Sequence, residues 1–429
     1  MRRRILRSSI ATSIATSIAA AIAITGSSPL VSAAPVFVTA WGTAGSGPGQ
    51  FGQAEGIALD DSFHVYVVDH STHRIEKFGA DGEFLLQWGG QGTGPGQFSY
   101  PSNVAVDDAF NVYITDTGNN RVEKFNSMGV FLTQWGGLGS LDGQFHGPLG
   151  IAVDAAGSDV YVVDPGDPFQ PFPVRIERFT SSGAFLSKWG TKGCCAPGQF
   201  FEPSDVAVSS SDHVYVIDSY SGEVQEFTSS GAFVALWGGV GIAPGRFQDP
   251  VGIEVDRLDG DRVYVADSNN QRVQVFGPGG TFLELFGTTG SDPGQFLGPG
   301  DVAVDRAGFI YVTDSVNHRV QKFLRSDLTG VGSAPHDGRV PAMTCVPNPC
   351  RERVEASFQL ARPGATRVEV FDASGRRVRC LSDGPAEAGP HSVVWNLRDG
   401  TGARVAPGIY LLRVSASADR LASRLWVLD

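Results

Sequence analysis

A carboxylate and a guanidinium recur at one fixed spacing along the chain, and this pairing is the residue pattern most able to do chemistry. The spacing is Asp-x-x-x-x-Arg, and it occurs as Asp69/Arg74, Asp116/Arg121, Asp267/Arg272 and Asp314/Arg319. Such a pair can hold an anion, but it can equally tie a turn together by charge-assisted hydrogen bonds. Because four near-identical copies are hard to reconcile with one active site, the pattern predicts a structural role and no catalytic residue.

Histidines beside two of these arginines raise the question of a zinc site. His73 and His318 each directly precede the arginine of a pair. A catalytic zinc uses three protein ligands and keeps one position open, so His70 or His146 would have to be the third. The spacing of these histidines in the sequence does not require any three of them to lie together. We therefore predict no metal site and no cofactor, with zinc catalysis as the less favoured alternative.

The elements that position these residues are repeats of 47 to 54 residues. Each repeat starts at a Trp-Gly phrase, replaced once by Phe-Gly: Trp41, Trp88, Trp135, Trp189, Trp237 and Phe286. A loop ending in Gly-Gln-Phe follows, and then four short strands, of which the second reads Val-Tyr-Val-x-Asp and the third Arg-Val-x-x-Phe. Four strands per repeat are typical of a β-propeller blade. A content of 55 Gly in 429 residues, with only 18% charged residues, suits strands and tight turns, so the predicted fold class is all-β.

The strand count predicts how the ring closes. First, second and third strands each occur six times, but only five fourth strands follow Phe78. The segment Val36 to Trp41 matches the fourth-strand pattern although no strand precedes it. Placed beside Arg319 to Phe323, it completes the last blade and removes an open sheet edge. The sequence therefore predicts a six-bladed propeller over residues 34–325, closed by the strand 36–41.

The Val-Tyr-Val-x-Asp strands and the Asp-x-x-x-x-Arg turns resemble the NHL family of six-bladed propellers. The resemblance covers Val36 to Phe323, and the unit repeats six times. Two blades depart from it: blade three inserts Pro165 to Pro173 before its arginine, and blade four has Glu223 where arginine is expected. The resemblance implies the propeller fold. Peptidyl-amidating lyases, which are zinc enzymes with a propeller of this kind, keep the zinc alternative open.

Three polar residues at the starts of first strands form the predicted ligand-binding group. The equivalent positions in the six blades are Gly56, Asn103, Gly150, Asp205, Gly252 and Asp301. We predict that Asn103, Asp205 and Asp301 ring the channel mouth, where loops on a rigid scaffold bind ligands; a ring of water-bound groups is the alternative. Phe169 and Phe172, in the blade-three insertion, are predicted binding contacts, with packing over a blade edge as the alternative.

A second domain is predicted after a polar linker over residues 326–341. From residue 342 to 429 the repeat is gone, and five clear strands with two weaker ones fit a small Ig-like β-sandwich. The phrases Pro347-Asn348-Pro349, Trp395-Asn396-Leu397 and Ala406 to Tyr410 resemble the Ig-like domain of flagellar hook-capping proteins and the sorting domain of the type IX secretion system. That resemblance implies a role in export, attachment or spacing, with secretion machinery as a possible partner.

The first 33 residues differ from the rest in composition. A basic start with four Arg, an apolar stretch and the small residues Val31-Ser32-Ala33 predict a secretory signal peptide, with a membrane anchor as the alternative. No later stretch is apolar enough to cross a bilayer, so no membrane span is expected after cleavage. Loss of four Arg takes the net charge from −12 to −16, which argues against a nucleic-acid partner.

These observations predict a secreted protein, extracellular, at the cell surface or in the periplasm. Its expected function is binding or scaffolding without catalysis, with a protein, glycan or small ligand on the propeller loop face. The alternative is a propeller hydrolase or lyase with a metal-dependent site at the channel mouth. That alternative depends on analogy of fold, which says little about function.

Overall fold

The computed structural model describes residues 34–154, 156–166, 172–194, 196–325, 344–346, 350–360, 364–372, 377–416 and 420–427. The predicted signal peptide (1–33), the predicted linker (326–341) and Phe169 lie outside these residues. Within the described ranges, no helix reaches the length and hydropathy that a membrane span requires.

Six four-stranded antiparallel sheets follow one another along the chain and form the blades of a propeller. The strand that precedes blade one is β1 (Val36–Trp41). Blades one to three consist of β2 (Ala54–Leu59), β3 (Val65–Asp69), β4 (Arg74–Phe78) and β5 (Phe84–Gly89); β6 (Pro101–Val106), β7 (Val112–Asp116), β8 (Arg121–Phe125) and β9 (Phe131–Gly136); and β10 (Ile151–Val153), β11 (Asp159–Asp164), β12 (Arg175–Thr180) and β13 (Phe185–Trp189).

The second half of the ring begins with a two-residue ladder between β14 (Thr191–Lys192) and β15 (Gln199–Phe200). Blades four to six then consist of β16 (Pro203–Val208), β17 (Val214–Asp218), β18 (Glu223–Phe227) and β19 (Phe233–Gly238); β20 (Pro250–Asp256), β21 (Arg262–Asp267), β22 (Arg272–Phe276) and β23 (Phe282–Phe286); and β24 (Pro299–Val304), β25 (Phe309–Asp314) and β26 (Arg319–Leu324). Short 3-10 turns span Thr117–Asn119, Ser268–Asn270 and Pro278–Gly280.

The last blade takes its fourth strand from the beginning of the propeller. β1 pairs antiparallel with β26, from Val36 opposite Leu324 to Trp41 opposite Val320. The sheet order is β1-β26-β25-β24, which is the pairing that the strand count predicts. The ring of six blades therefore closes through one non-covalent seam.

Burial differs between the strands of a blade. Second strands such as β3 are buried at every residue because neighbouring blades cover both of their faces. Fourth strands such as β5 alternate between half-buried and exposed residues, which is typical of a rim with one face on the core. The Trp-Gly phrase ends five of the six rim strands, with Phe286-Gly287 at the sixth, and links each to the next blade: the Trp88 ring lies 5.9 Å from the Phe125 ring.

The tail forms a separate pair of sheets. Its strands are β27 (Thr344–Val346), β28 (Val354–Leu360), β29 (Gly364–Asp372), β30 (Arg377–Ala386), β31 (Gly389–Trp395), β32 (Gly408–Ala416) and β33 (Arg420–Val427). The sheet orders are β27-β28-β31 and β30-β29-β32-β33, and the fully buried Trp395 belongs to the core of this sandwich. The five clear strands of the sequence correspond to β28, β29, β31, β32 and β33.

Candidate functional site

The Asp–Arg pairs anchor loops of the propeller. In blade two, Arg121 donates from Nε to Asp116 at 2.7 Å, and from Nη1 and Nη2 to the carbonyl oxygens of Thr93, Gly94 and Gln97 at 2.8, 3.0 and 2.7 Å. Asp116 in turn accepts the N–H of Ser99 at 2.7 Å. Because carboxylate and guanidinium are both nine-tenths buried and bonded to one loop, the pair fixes that loop against its blade.

The same anchor recurs in five blades. The arginines are Arg74, Arg121, Arg175, Arg272 and Arg319.

The propeller has two faces. We call the loop face the one formed by the loops entering the first strands and the loops joining second to third strands. The turn face is the opposite one, formed by the turns between first and second and between third and fourth strands.

Blade four holds its loop differently. With Glu223 in place of the arginine, Asp218 accepts backbone N–H groups from Phe201 at 2.6 Å and from Tyr220 at 3.1 Å. The loop carbonyl of Gln199 is held by Nε2 of Gln225 at 2.8 Å instead of by a guanidinium. The amide bond recurs in blades five and six beside their arginines, so the donors particular to blade four are the N–H groups of Tyr220 and Ser221.

Asn103, Asp205 and Asp301 come from alternate blades and lie at the propeller axis. Nδ2 of Asn103 donates to Oδ1 of Asp205 at 2.9 Å. Asp205 accepts N–H groups from Val206 at 2.8 Å and from Ile253 of the next blade at 2.9 Å. We call these three polar side chains the axis layer. Each Asp links the first strands of neighbouring blades because those strands turn their unpaired N–H groups toward the channel.

Asp301 repeats this arrangement across the seam between blades six and one. It accepts the N–H of Val302 at 2.8 Å and that of Ile57 at 3.0 Å. The three blades between carry glycine because a Cβ has no room there: at Gly150 it would lie 2.4 Å from Oδ1 of Asp205. Glycine and polar residues therefore alternate around the axis.

The two aspartates of the axis layer are poor acids. Burial is the main cause that raises the pKa of Asp205 to about 8, although the N–H donors oppose it. Burial, and then the charge of Asp205, raise the pKa of Asp301 as well. Both side chains are almost inaccessible to solvent, with 3% and 6% exposed. The axis layer can hold a proton, but its oxygens already accept bonds from the protein.

A cavity of about 440 Å³ lies along the axis and is lined by the first strands of all six blades. It extends from the axis layer to the turns after the first strands, where exposed residues such as Asp61, Leu258 and Arg306 line it. The cavity therefore opens on the turn face, opposite the loop face that the sequence favours for ligands. Glu254 and Arg257 line it too, and burial raises the pKa of Glu254 to about 7.

The acids at the ends of first strands are used by the turns themselves. They are Asp60, Asp107, Asp154, Asp256 and Asp305. Asp107, for example, accepts the N–H groups of Ala109 at 3.0 Å and Asn111 at 2.8 Å, and the hydroxyl of Tyr113 at 2.8 Å. Their repetition reflects turn capping.

Aromatic and histidine rings are paired on the loop face of blades one to four. Tyr100 lies 5.3 Å from the His70 ring and 4.6 Å from the His73 ring, measured between centroids. Phe201 and Tyr220 are 4.3 Å apart. Tyr100 is 50% and Tyr220 56% exposed, so these rings present apolar faces to solvent.

Phe172 is the described member of the predicted aromatic pair in the blade-three insertion. Its ring stacks on His146 at 3.9 Å and is partly buried. The sequence did not predict this contact, because the two residues are far apart in the repeat and only the fold brings the insertion over its own loop.

Two of the histidines weighed as zinc ligands, His70 and His73, have other contacts, whereas Nδ1 of His318 is buried without a hydrogen-bond partner in the described ranges. Nδ1 of His70 lies 3.1 Å from Oε2 of Glu55, and the pKa of His70 is raised mainly by that hydrogen bond. Nδ1 of His73 accepts the N–H of Tyr100 at 2.9 Å. Among the residues that the structure describes, no three His, Cys, Asp or Glu side chains are grouped so as to hold a metal ion.

Comparison with known families agrees with both parts of the fold. The NHL repeat model matches residues 98–125, 200–227, 247–276 and 296–323, and the FlgD Ig-like domain model matches residues 351–420. The chain therefore carries NHL repeats and a C-terminal FlgD Ig-like domain, as the sequence motifs predict. No curated protein matches the chain.

Solved structures similar to this chain are propellers of low sequence identity. A structural genomics protein of unknown function from Bacteroides thetaiotaomicron has a TM-score of 0.52 and 17% identity, over 68% of this chain and 76% of that one. A gluconolactonase from Xanthomonas campestris has a TM-score of 0.48 and 16% identity, over 69% of this chain and 97% of that one. Virginiamycin B lyase from Staphylococcus aureus has a TM-score of 0.42 and 15% identity, over 63% of this chain and 84% of that one. The first of these supports the fold.

Proposed function

We propose that this chain is an exported binding protein whose propeller docks a protein partner on its loop face. The observation that carries the proposal is the set of exposed rings around Tyr100 and Tyr220. Aromatic residues are enriched at protein interfaces because they bury much area at a small cost in side-chain entropy. The charged anchors of the same face are bonded to their own loops, so they are already occupied.

Exposed aliphatic side chains extend this surface. The loops of the loop face carry five that are 62–73% exposed: Leu138, Leu141, Val240, Ile242 and Val316. They share the loop face with Tyr100 and Tyr220 and add apolar area that a partner on that face can bury. Glycans and small ligands present less apolar area than these residues offer, so a protein is the partner class that fits best.

The remaining parts of the proposal concern export and the tail. The composition of residues 1–33 supports export, and the FlgD Ig-like match supports a tail used for attachment or spacing. We do not propose the hydrolase or lyase alternative, because no observation on the described residues favours it.

Variants of the two tyrosines test the docking surface. Tyr100 has a left-handed φ of 49°, so Asn, which tolerates that conformation, replaces it with least strain. The variants are Tyr100→Asn and Tyr220→Ser, and Met128→Ser, at a 68% exposed position on the turn face, is the matched control. Partners are captured by cross-linking on cells that secrete the protein, then purified and titrated against each variant.

The tyrosine variants should weaken binding of the purified partner by about 30-fold each, the usual loss for an interface hot spot, while the control binds normally. Equal loss in the control, or unchanged binding in both tyrosine variants, would overturn the assignment. Binding to a glycan array that depends on the tyrosines would replace the protein partner by a carbohydrate.

A further inference from the structure

One side chain in the axial cavity is not explained by the repeat. Two residues after the axis layer, each first strand has a residue paired with the tyrosine of the second strand. Five blades have alanine there: Ala58, Ala105, Ala152, Ala207 and Ala303. In blade five, Glu254 stands opposite Tyr264. Since a methyl group satisfies this position in five blades, the fold has no need of the carboxyl.

Arg257 brings a positive charge into the same cavity. Its Nε donates to the carbonyl of Val208 in blade four at 2.8 Å, and its Nη2 donates to the carbonyl of Val153 in blade three. The guanidinium therefore lies across the channel with its orientation fixed by two blades. Nη1 makes no hydrogen bond with the described residues, and Arg257 forms no ion pair with Glu254 among them.

We propose that the axial cavity binds a small zwitterion of the amino-acid or short-peptide class, with its ammonium group at Glu254 and its carboxylate at Nη1 of Arg257. A volume of about 440 Å³ is that of a small-molecule site. The two side chains attract each other across the cavity but form no direct ion pair, so a ligand with both charges contacts each of them.

The surroundings fix the direction of the ligand. Glu254 lies on the axis-layer side, since it interacts electrostatically with Asp205 and Asp301, whereas Arg257 follows the end of β20 at the turn face. The ammonium group therefore points inward and the carboxylate points toward the turn face. An ammonium ligand also favours the ionised form of Glu254, which burial alone disfavours.

Two variants copy residues that other blades already carry. Glu254→Ala reproduces the alanine of five blades, and Arg257→Ser reproduces Ser210 of blade four, so both should keep the fold. Met128→Ser, at an exposed position on the same face that does not line the cavity, is the control. Thermal denaturation of the full chain checks folding, and ligand-observed NMR and calorimetry measure binding of amino acids and the dipeptide glycyl-leucine. Butylamine and butyrate serve as probes with a single charge.

The expected result is binding of at least one zwitterion below about 10 mM, weakened tenfold or more by Glu254→Ala and by Arg257→Ser but not by the control. Arg257→Ser should still bind butylamine, and Glu254→Ala should still bind butyrate, each as weakly as the parent does. Unchanged affinity in either variant would overturn the proposal. So would the absence of any zwitterion binding to the parent, or equal affinity for a probe with one charge. The cavity and the proposed docking surface are on opposite faces, so each test stands without the other.

Discussion

Trp41 and Trp135 occupy the same position in the fourth strands of two blades, yet only Trp41 lies in a strand that closes the ring. Each indole is half-buried, 5.9 Å from a phenylalanine of the next blade and 6.2–6.3 Å from a tyrosine of its own. Replacing either by Ala should remove about 2–3 kcal/mol of packing. Each substitution therefore removes the same packing free energy at its own site. Any further difference in stability or association between the two variants measures the contribution of β1 to ring closure.

The free energy that holds the seam is a small difference between opposing contributions. The five residue pairs between β1 and β26 contribute about 5 kcal/mol at ~1 kcal/mol per ladder hydrogen bond. Burial of Trp41 and Phe37 adds about 5 kcal/mol. Ordering the six residues of β1 costs about 9 kcal/mol at ~1.5 kcal/mol each. Without the indole the balance turns against attachment, so we expect β1 to detach in Trp41→Ala and to leave the edge of β26 exposed.

Light scattering after size-exclusion chromatography at two protein concentrations measures the association of each variant. Urea denaturation measures its stability. Trp135→Ala should be a destabilised monomer, because its strand continues into the chain on both sides. Trp41→Ala should associate in a concentration-dependent way, as should a deletion of residues 34–41. If both tryptophan variants stay monomeric with the same urea midpoint, then β1 does not control closure and the reasoning fails.

Two further predictions concern the anchors and the axis. Arg121→Ala should cost about 3–5 kcal/mol because it leaves a buried carboxylate unpaired, whereas Glu223→Ala, at the equivalent position of blade four, should cost under about 1 kcal/mol; equal urea midpoints would refute the anchoring role. Asp205 and Asp301 have pKa values raised above those of the unfolded chain, so the folded protein binds more protons above the usual aspartate pKa of 3.8, and stability falls as pH rises from there toward 8. The double Asn variant should flatten this dependence, measured by denaturation at several pH values, at a constant cost of about 1–3 kcal/mol for each N–H left without an acceptor; an unchanged slope would show that other groups cause it.

The propeller is readable from the sequence because its interactions repeat. The Trp-Gly phrase needs a left-handed glycine: Gly89 has a φ of 109°, and a Cβ there would lie 2.8 Å from the Phe98 ring. A requirement that recurs in each blade leaves a visible period in the chain. The five-plus-one count of fourth strands identifies the closing pair for the same reason.

The candidate sites are less predictable because they depend on what does not repeat. The sequence groups Asn103, Asp205 and Asp301. Their burial was not predictable, because the two aspartates are held at the axis by N–H groups of neighbouring first strands, and no sequence motif shows those bonds. Glu254 was missed although the signal was present: aligned with the five alanines at its position, it is the single exception. The sequence shows that blade four has Glu223 in place of the arginine. Only the structure shows that main-chain N–H groups bond to Asp218 there instead.

The seam between β1 and β26 also determines how the propeller responds to tension. Val36 pairs with Leu324, so the two ends of the ring emerge side by side at the same end of the ladder. A force that pulls residue 36 away from residue 324 loads the hydrogen bonds one pair after another, as in opening a zipper, instead of shearing all of them at once. Traction between whatever precedes the propeller and whatever follows it would therefore open the ring at low force, with the other five blades still folded.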